Sequence, residues 1–447
     1  MTAGPASQAP SRLLSVEEAR DRILAAVAPL AAERLAPLDA LGRVVAEPVV
    51  AATSLPPWDN AAMDGYAIRA ADTTGASDDR PVRLAVVGEV RAGAAADAAV
   101  PPGAAVRIAT GAPMPPGADA VVPVEQTTPV DAAGNPGPRG RDASGPLPAA
   151  CLVHVAVPAG GSIRRAGSDL RRGDVVLDRG AVLTAPAVTL VAGAGAGAVD
   201  VHRRPRVAVL ATGDEVRERG EQLGPAGIPD ANRPGLLAHV AAAGGEGIDL
   251  GIAVDDLADV LERLRGALAR DVDAIVVSGG VSVGPYDVVK AAFEAIGRID
   301  LWRVAVQPGK PFAFGTAERA GGERVLLFGL PGNPVSSIVT FELFVRPALR
   351  RLAGHPRPFR PVDRAILGEA VSKSHGRRAF LRVAAERDDT GSPRRDEHGR
   401  VHVRLAGGQG SHVLSALAAA DALAVVPEAD DELPAGAEVE LWWLDAG

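Results

Sequence analysis

The stretch Asp273–Ile296, "DAIVVSGGVSVGPYDVVKAAFEAI", decides how the middle of this chain is read. It opens on a short apolar run rich in β-branched residues, "DAIVVS", which reads as a buried strand. A glycine-rich turn, "GGVSVG", follows, and then a helix containing "YDVVKAAFEAI". Working outward, the same alternation recurs on both sides. "RVAVLAT" is a strand ending in the turn "GDE", and "RPGLLAHVAAAGG" a short helix. "IDLGIAV" is a second strand, followed by "DDLADVLERLRGAL", whose Leu257, Val260, Leu261, Leu264 and Leu268 share one helical face. After Ile296, "RVLLFG" leads through "LPGNP" into the helix "VSSIVTFELFVRPALRRL". Strands alternating with helices of this length predict a parallel, doubly wound α/β sheet.

In such sheets ligands bind beyond the carboxyl ends of the strands. That rule collects Asp214 and Glu215, then Asp255, Ser282 and Asp287, and finally Asn333 and Ser336, on one rim, and the turns that carry them add Thr212, Gly213, Gly279, Gly280, Pro331 and Pro334 as candidates. The turn "SGGVSVG" can cradle a phosphate on backbone N–H groups at a helix start; the alternative is a tight turn that needs glycine dihedrals. "LPGNP" has the same ambiguity, with Asn333 as cap and Pro334 near the first helical position. Lys290 lies on the helix after the glycine turn, as a ligand or as a solvated side chain. Asp255 and Asp256, each taken alone, read better as caps of the helix they precede. Asp287 is different: a carboxylate beside a phosphate cradle implies a metal between them. Mg²⁺ fits, with Asp214, Glu215, Asp255 and Asp287 as candidate ligands.

The rest of the chain is β-rich. A helix begins near Ser15 with the capping box "SVEE". From Tyr66 to about Val157, short alternating runs such as "VRLAVVGEV" and "AVRIAT", broken by Pro and Gly, predict a small β-rich domain, with "DAAGNPGPRGRDASGPLP" as a surface loop. Past Gly354, "RAILGEA", "RAFLRVAAE", "RVHVRLA", "ALAVVP" and "EVELWWL" predict a terminal sheet or barrel.

Composition narrows the function. Of 447 residues, 47% are hydrophobic and 23% charged, those of a soluble globular protein; aromatics are only 3%, so the cores rest on Ala, Val and Leu. A net charge of -8 provides no global field for nucleic acid or an anionic membrane. One cysteine, Cys151, excludes an internal disulfide and reads as a small buried hydrophobe. No signal segment or bilayer-length apolar run is present, so a cytoplasmic location is expected. The eight His residues are scattered, and no Ser-His-Asp arrangement has positional logic. Among 47 basic residues Lys occurs only at 290, 310 and 373. Lys310, between Gly309 and Pro311 in "VAVQPGKPFAFG", therefore stands out as a compact ammonium on a fixed turn, suited to an anion. The residues alone point to an enzyme or binding protein for a phosphorylated ligand, with Mg²⁺ and a second anion on Lys310.

Seven motifs in order, "PPWDNAAMDGYA", "RIATGAPMPPGADAVVPVEQT", "RRAGSDLRRGD", "LATGDE", "SGGVSVGPYD", "VQPGKPFAFG" and "GLPGNPVSS", resemble the molybdopterin molybdenumtransferases, the MoeA and gephyrin E-domain family, over nearly the whole chain from about Ser15. The resemblance implies the last step of molybdenum cofactor synthesis: molybdate enters adenylylated molybdopterin and AMP is released, with Mg²⁺ or a similar ion. It implies an elongated N-terminal domain (1–55 with 165–200), an inserted β-rich domain (56–164), an α/β molybdopterin-binding domain (201–354) and a C-terminal β-barrel (355–447). It also implies a homodimer with its active site between subunits, and a molybdopterin adenylyltransferase as upstream partner. Asp59, Asp64, Thr110 and Asp169 then approach the cleft from the N-terminal half. Glu215, Asp255, Ser282 and Asp287 lie on the pterin-nucleotide side, and Lys310, Arg377 and Ser411 hold molybdate together with positions 303 and 307. Lys is the residue implied at those two positions; here they are Arg303, which keeps the charge, and Gln307, which does not. Ser168 replaces an acidic residue before Asp169, and the insert "DAAGNPGPRGRDASG" lengthens the β domain. Two alternatives remain: a non-catalytic scaffold, for which no added module is seen, and the related adenylyl-transferring domain, which lacks the N-terminal motifs and the barrel.

Overall fold

The computed structural model describes residues 13–97, 99–140, 145–280 and 288–444. Helix α1 (Val16–Ala25) begins as its sequence dictates: Ser15 Oγ accepts from the Glu18 amide at 3.0 Å, and Glu18 Oε2 accepts from the Ser15 amide at 2.8 Å. Its buried face, Val16, Ala19 and Ile23, packs on the α/β unit far downstream, not on the 165–200 segment with which it was expected to pair. Two antiparallel pairings build that elongated part instead. Ala32–Leu35 runs against Val199–His202, and Val49–Val50 against Val175–Leu177. Val45, Leu183, Val191 and Val201 fill a small core beside α2 (Ala185–Gly193).

Between these pairings lies a six-stranded sheet formed by Gly65–Ile68, Val82–Val90, Ala104–Ile108, Ala120–Pro123, Thr127–Val130 and Ala150–Val153. Both faces are covered by separate apolar clusters, and Cys151 is fully buried in one of them.

The α/β unit contains β1 (Arg206–Thr212), α3 (Asn232–Ala242), β2 (Glu246–Ala253), α4 (Leu257–Leu268), β3 (Ala274–Ser278), α5 (Val288–Ile296), β4 (Gly297–Arg303), β5 (Pro311–Glu318) and β6 (Arg324–Leu330). The sheet order is β2-β1-β3-β6-β5-β4. Alternation along each strand separates two cores. Val207, Val209, Val276 and Phe328 face α1, α3 and the last helices, while Ala208, Leu210, Val277 and Leu327 face α4 and α5. The sheet is thus doubly wound, but it is mixed and not parallel throughout. β1, β2, β3 and β6 are mutually parallel, whereas β5 runs antiparallel to both β6 and β4. The reason is connection length: no helix separates β4, β5 and β6, and a parallel neighbour needs a crossover of a dozen or more residues.

After β6 a single helical run comprises α6 (Pro334–Thr340), a π-helical turn (Phe341–Val345) and α7 (Arg346–Leu352). The chain then forms β7 (Val362–Leu367), β8 (Arg378–Ala385), β9 (Val401–Leu405), β10 (Ala422–Val426) and β11 (Glu438–Trp443). These close as β8-β9-β7-β11-β10 and back to β8, a five-stranded barrel. One buried carboxylate locks the junction. Glu342 accepts from Arg360 Nε at 2.9 Å and meets His239 Nδ1 at 3.1 Å. Burial opposes its ionisation, but hydrogen bonds from His239 and Arg360 outweigh it and hold its carboxyl down at about 2. From α1, Arg20 donates to the Leu343 carbonyl at 3.1 Å and stacks 4.4 Å from the Trp442 ring. Among the described residues no helix is long and apolar enough to cross a membrane.

Candidate functional site

A cleft of about 670 Å³ opens at the carboxyl ends of β1, β3 and β6, where the strand rule places it. Nine of the expected residues line it: Thr212, Gly213, Glu215, Asp255, Gly279, Gly280, Pro331, Asn333 and Pro334. The glycine turn is sterically required. Gly279 and Gly280 have φ of +100° and +61°, and a Cβ on either would stand 2.5 Å from the Thr212 carbonyl oxygen or Val289 Cγ2. The turn therefore lies close against the end of β1 and the start of α5. Thr212 is only 5% exposed, and its hydroxyl has no hydrogen-bond partner among the described residues. Ser282 and Asp287, from the same loop, lie outside the described residues.

Asp255 and Asp256 have separate tasks. Asp256 caps α4, accepting from the Ala258 and Asp259 amides at 2.9 and 3.1 Å. Asp255 is left to the cleft, where its amide donates to Asp214 Oδ1 at 3.1 Å. Desolvation at the cleft edge, then the facing carboxylates of Asp214 and Glu215, push the Asp255 carboxyl above the usual range. No basic side chain among the described residues pairs with any of the three. These acids suit a cation, yet no three His, Cys, Asp or Glu side chains among the described residues group tightly enough to hold one alone. That incomplete set fits Mg²⁺, which takes one or two carboxylates and fills its shell from ligand phosphate and water.

Other expected residues sit elsewhere. Ser336 is buried in α6, and its carbonyl accepts from Thr340 Oγ1 at 2.8 Å. Lys290 lies on α5 with Glu294 at 3.8 Å. Asn333 occupies the cap position of α6 but makes no side-chain capping bond. The anion candidates follow the seam between sheet and barrel. Val306–Gln307 pairs with Arg378–Ala379 next to Arg377, and Gln307 Oε1 accepts from the Ser374 amide at 3.0 Å. Arg303 is exposed at the end of β4, opposite Pro311 in register. Lys310 is half-buried beside the cleft residue Pro311. Its turn is packed on α6, since a Cβ on Gly309 would meet Thr340 Cγ2 at 2.5 Å. Ser411 reaches the start of α6, where its carbonyl accepts from the Val335 amide at 3.1 Å.

The N-terminal candidates form a separate group, and none lines this cleft. Asp59 accepts from Arg165 at 2.6 Å and from the Ala166 amide at 2.8 Å. The amide first, then the guanidinium, hold its carboxyl below the usual range. Asp64 Oδ1 accepts from both the amide and the hydroxyl of Thr110, at 2.7 and 2.9 Å. Asp169 is exposed, its amide donating to the Leu55 carbonyl at 3.0 Å.

Four polar cleft residues were missed: Asp230, Asn232, Ser278 and His412. Asn232 Nδ2 donates to Ser278 Oγ at 2.8 Å and to the Gly332 carbonyl at 2.7 Å, stapling α3 to both cleft loops. The strand rule, applied to helix starts as well as strand ends, would have found it. His412 follows Ser411 directly and was passed over as one of eight scattered His.

Comparison with known proteins agrees with this architecture along the chain. Family models match in order: the MoeA N-terminal region (domain I and II) over residues 14–195, a probable molybdopterin binding domain over 208–351, and the MoeA C-terminal region (domain IV) over 364–444. The chain belongs to the MoeA family of molybdopterin molybdenumtransferases. Within that family, molybdopterin molybdenumtransferase 2 of Mycobacterium tuberculosis is 38% identical over 414 residues, covering 91% of this chain and 93% of the relative. The Haemophilus influenzae molybdopterin molybdenumtransferase is 35% identical, covering 96% and 98%. A solved MoeA structure from Pyrococcus horikosii superposes with a TM-score of 0.77 at 30% identity, covering 98% of this chain and all of that one.

Proposed function

We propose that this MoeA-family chain is a molybdenum insertase: it binds adenylylated molybdopterin in the α/β cleft, transfers molybdate into its dithiolene and releases AMP. The observation that carries this reading is the cleft itself, which sets a tight glycine turn beside a rim of acids that have no basic partner among the described residues. An extended, phosphate-bearing heterocycle fits such a site: the ring system beside Thr212 and Asn232, the phosphate toward Glu215 and Asp255. Asp255 and Glu215, with Asp287 and Asp214, are the residues for Mg²⁺, which supplies charge neutralisation at the phosphate. Thr212, Gly213, Gly279, Gly280, Ser282, Lys290, Pro331, Asn333, Pro334 and Ser336 belong to the nucleotide side of the reading.

Molybdate binds at the seam on Lys310, Arg377 and Ser411, with Arg303 and Gln307 beside them. Lys310 is placed by a turn that has little freedom to lose, so its ammonium orders an oxyanion at small entropic cost. Gln307 contributes hydrogen bonding without charge. Asp59, Asp64, Thr110 and Asp169 lie outside the cleft of one chain, which supports a homodimer that brings them to the partner's cleft. The purified protein, given adenylylated molybdopterin, Mg²⁺ and molybdate, is expected to release AMP and yield active cofactor. Nucleotide binding with no AMP release under those conditions would favour a scaffold role.

A further inference from the structure

The cleft wall opposite the glycine turns is the segment 214–230, which leaves β1 and returns to α3. Glu215, Val216, Ile228, Pro229 and Asp230 face the cleft. Behind it, Glu218, Arg219, Glu221 and Leu223 line a second cavity of about 560 Å³ that shares Pro229 and Asp230 with the first. The segment has little structure of its own beyond a two-residue parallel pairing of Val216–Arg217 with Ile228–Pro229. It is one layer of chain between two cavities.

Besides the Asp214–Asp255 hydrogen bond at its start, its ties to the body of the protein converge on Arg233 of α3. Arg233 Nε donates to Asp230 at 2.8 Å, at the outgoing stem, and one terminal nitrogen donates to Glu218 at 2.5 Å, at the incoming stem. The other terminal nitrogen holds both oxygens of Asp249 on β2 at 2.6 Å. Two wall carboxylates and one sheet carboxylate thus converge on a single guanidinium, which is largely buried. Without that charge the three acids repel one another, and the stems lose their link to the sheet.

We infer that Arg233 is a positioning residue for the cleft: it touches no ligand, but it sets where Glu215, Ile228 and Asp230 stand. The inference rests on the nucleotide-binding reading of the cleft. If the wall is in place only a fraction of the time, apparent affinity falls by that fraction, while bound ligand re-forms the wall and turnover at saturation is kept.

The test uses the full-length protein and the substitutions Arg233→Met and Asp249→Asn. Trypsin cleavage after the exposed Arg219 reports the wall without any chemistry. In Arg233→Met this cleavage is expected to quicken by at least about tenfold and KM for the pterin nucleotide to rise by about tenfold, with kcat within about threefold. Asp249→Asn, which leaves both wall carboxylates on the guanidinium, is expected to move both readouts the same way by less; it carries the test if Arg233→Met does not fold. A folded Arg233→Met protein with a lowered Tm but parental Arg219 cleavage and parental KM would overturn the inference. Absence of turnover in the unsubstituted protein would defeat the functional reading alone, since the cleavage rates still decide the role of Arg233.

Discussion

At the cleft rim Asp214, Glu215 and Asp255 face one another without a basic partner among the described residues, and Asp255 is held above the usual carboxylate range. In the N-terminal half Asp59 and Asp64 are engaged by Arg165, Ala166 and Thr110, and Asp59 is held below it. Residues of one type are thus placed in opposite electrostatic states. The raised Asp255 carboxyl costs stability in the free chain, and a bound cation would offset that cost. The N-terminal acids already have partners, so in one chain they act as clamps that hold the "WDNAAMDG" loop in shape.

Breaking the limiting clamped acid is expected to have the largest effect. Glu342→Gln removes the charge that the largely buried Arg360 and Arg346 guanidiniums face, and should cost about 3–5 kcal/mol of stability. Because the folded carboxyl lies near 2, below its ordinary 4.5, its contribution is present above about pH 4.5 and disappears as pH falls toward 2. Chemical denaturation across that range should be flatter in the Gln variant; an equally steep loss would remove Glu342 as its source. Next, Asp255→Asn should lower turnover at least about a hundredfold, ~2.7 kcal/mol of barrier, while the pterin nucleotide still binds. Nearly normal AMP release would make the unpaired rim incidental. Lys310→Ala should raise the molybdate concentration needed for turnover by at least about tenfold, ~1.4 kcal/mol, and Gln307→Lys should lower it. An unchanged molybdate dependence in the Ala variant would leave Lys310 a turn residue.

The smallest effect is the most direct on the contrast. A raised carboxyl such as Asp255 costs nothing below its ordinary value, and its penalty is complete only once pH has risen through the folded value. A lowered carboxyl such as Asp59 stabilises above its ordinary value, and that is lost as pH falls through the folded one. At neutral pH, Asp255→Asn should therefore raise the unfolding free energy and Asp59→Asn lower it, each by under about 1 kcal/mol because both sites are screened by solvent, with Tm moving in the same directions. Shifts of the same sign would end the comparison.

The alternation of β1, β2 and β3 with α3 and α4 was legible because buried parallel strands and amphipathic helices each leave a local periodic signal. The reversal of β5 was not, since it depends on missing crossovers and not on any residue in the strand. Cleft-lining residues that follow strands, such as Glu215, Asp255 and Asn333, were legible from position alone. Asn232 was missed because its role comes from contacts with Ser278 and Gly332, 46 and 100 residues away. The docking of α1 was hidden for a similar reason: an apolar helix face in the sequence does not name its partner.

The central claim is that the two sets of acids meet only between subunits, and mixing inactive variants tests it. Asp64→Asn and Asp255→Asn proteins, each expected to be inactive alone, are unfolded together and refolded as a mixture. About half of the dimers are then mixed, and each mixed dimer has one intact site of two, so AMP release should return to about a quarter of the parental rate. Recovery near that level supports a site shared across the dimer; a mixture as inactive as its components would contradict it.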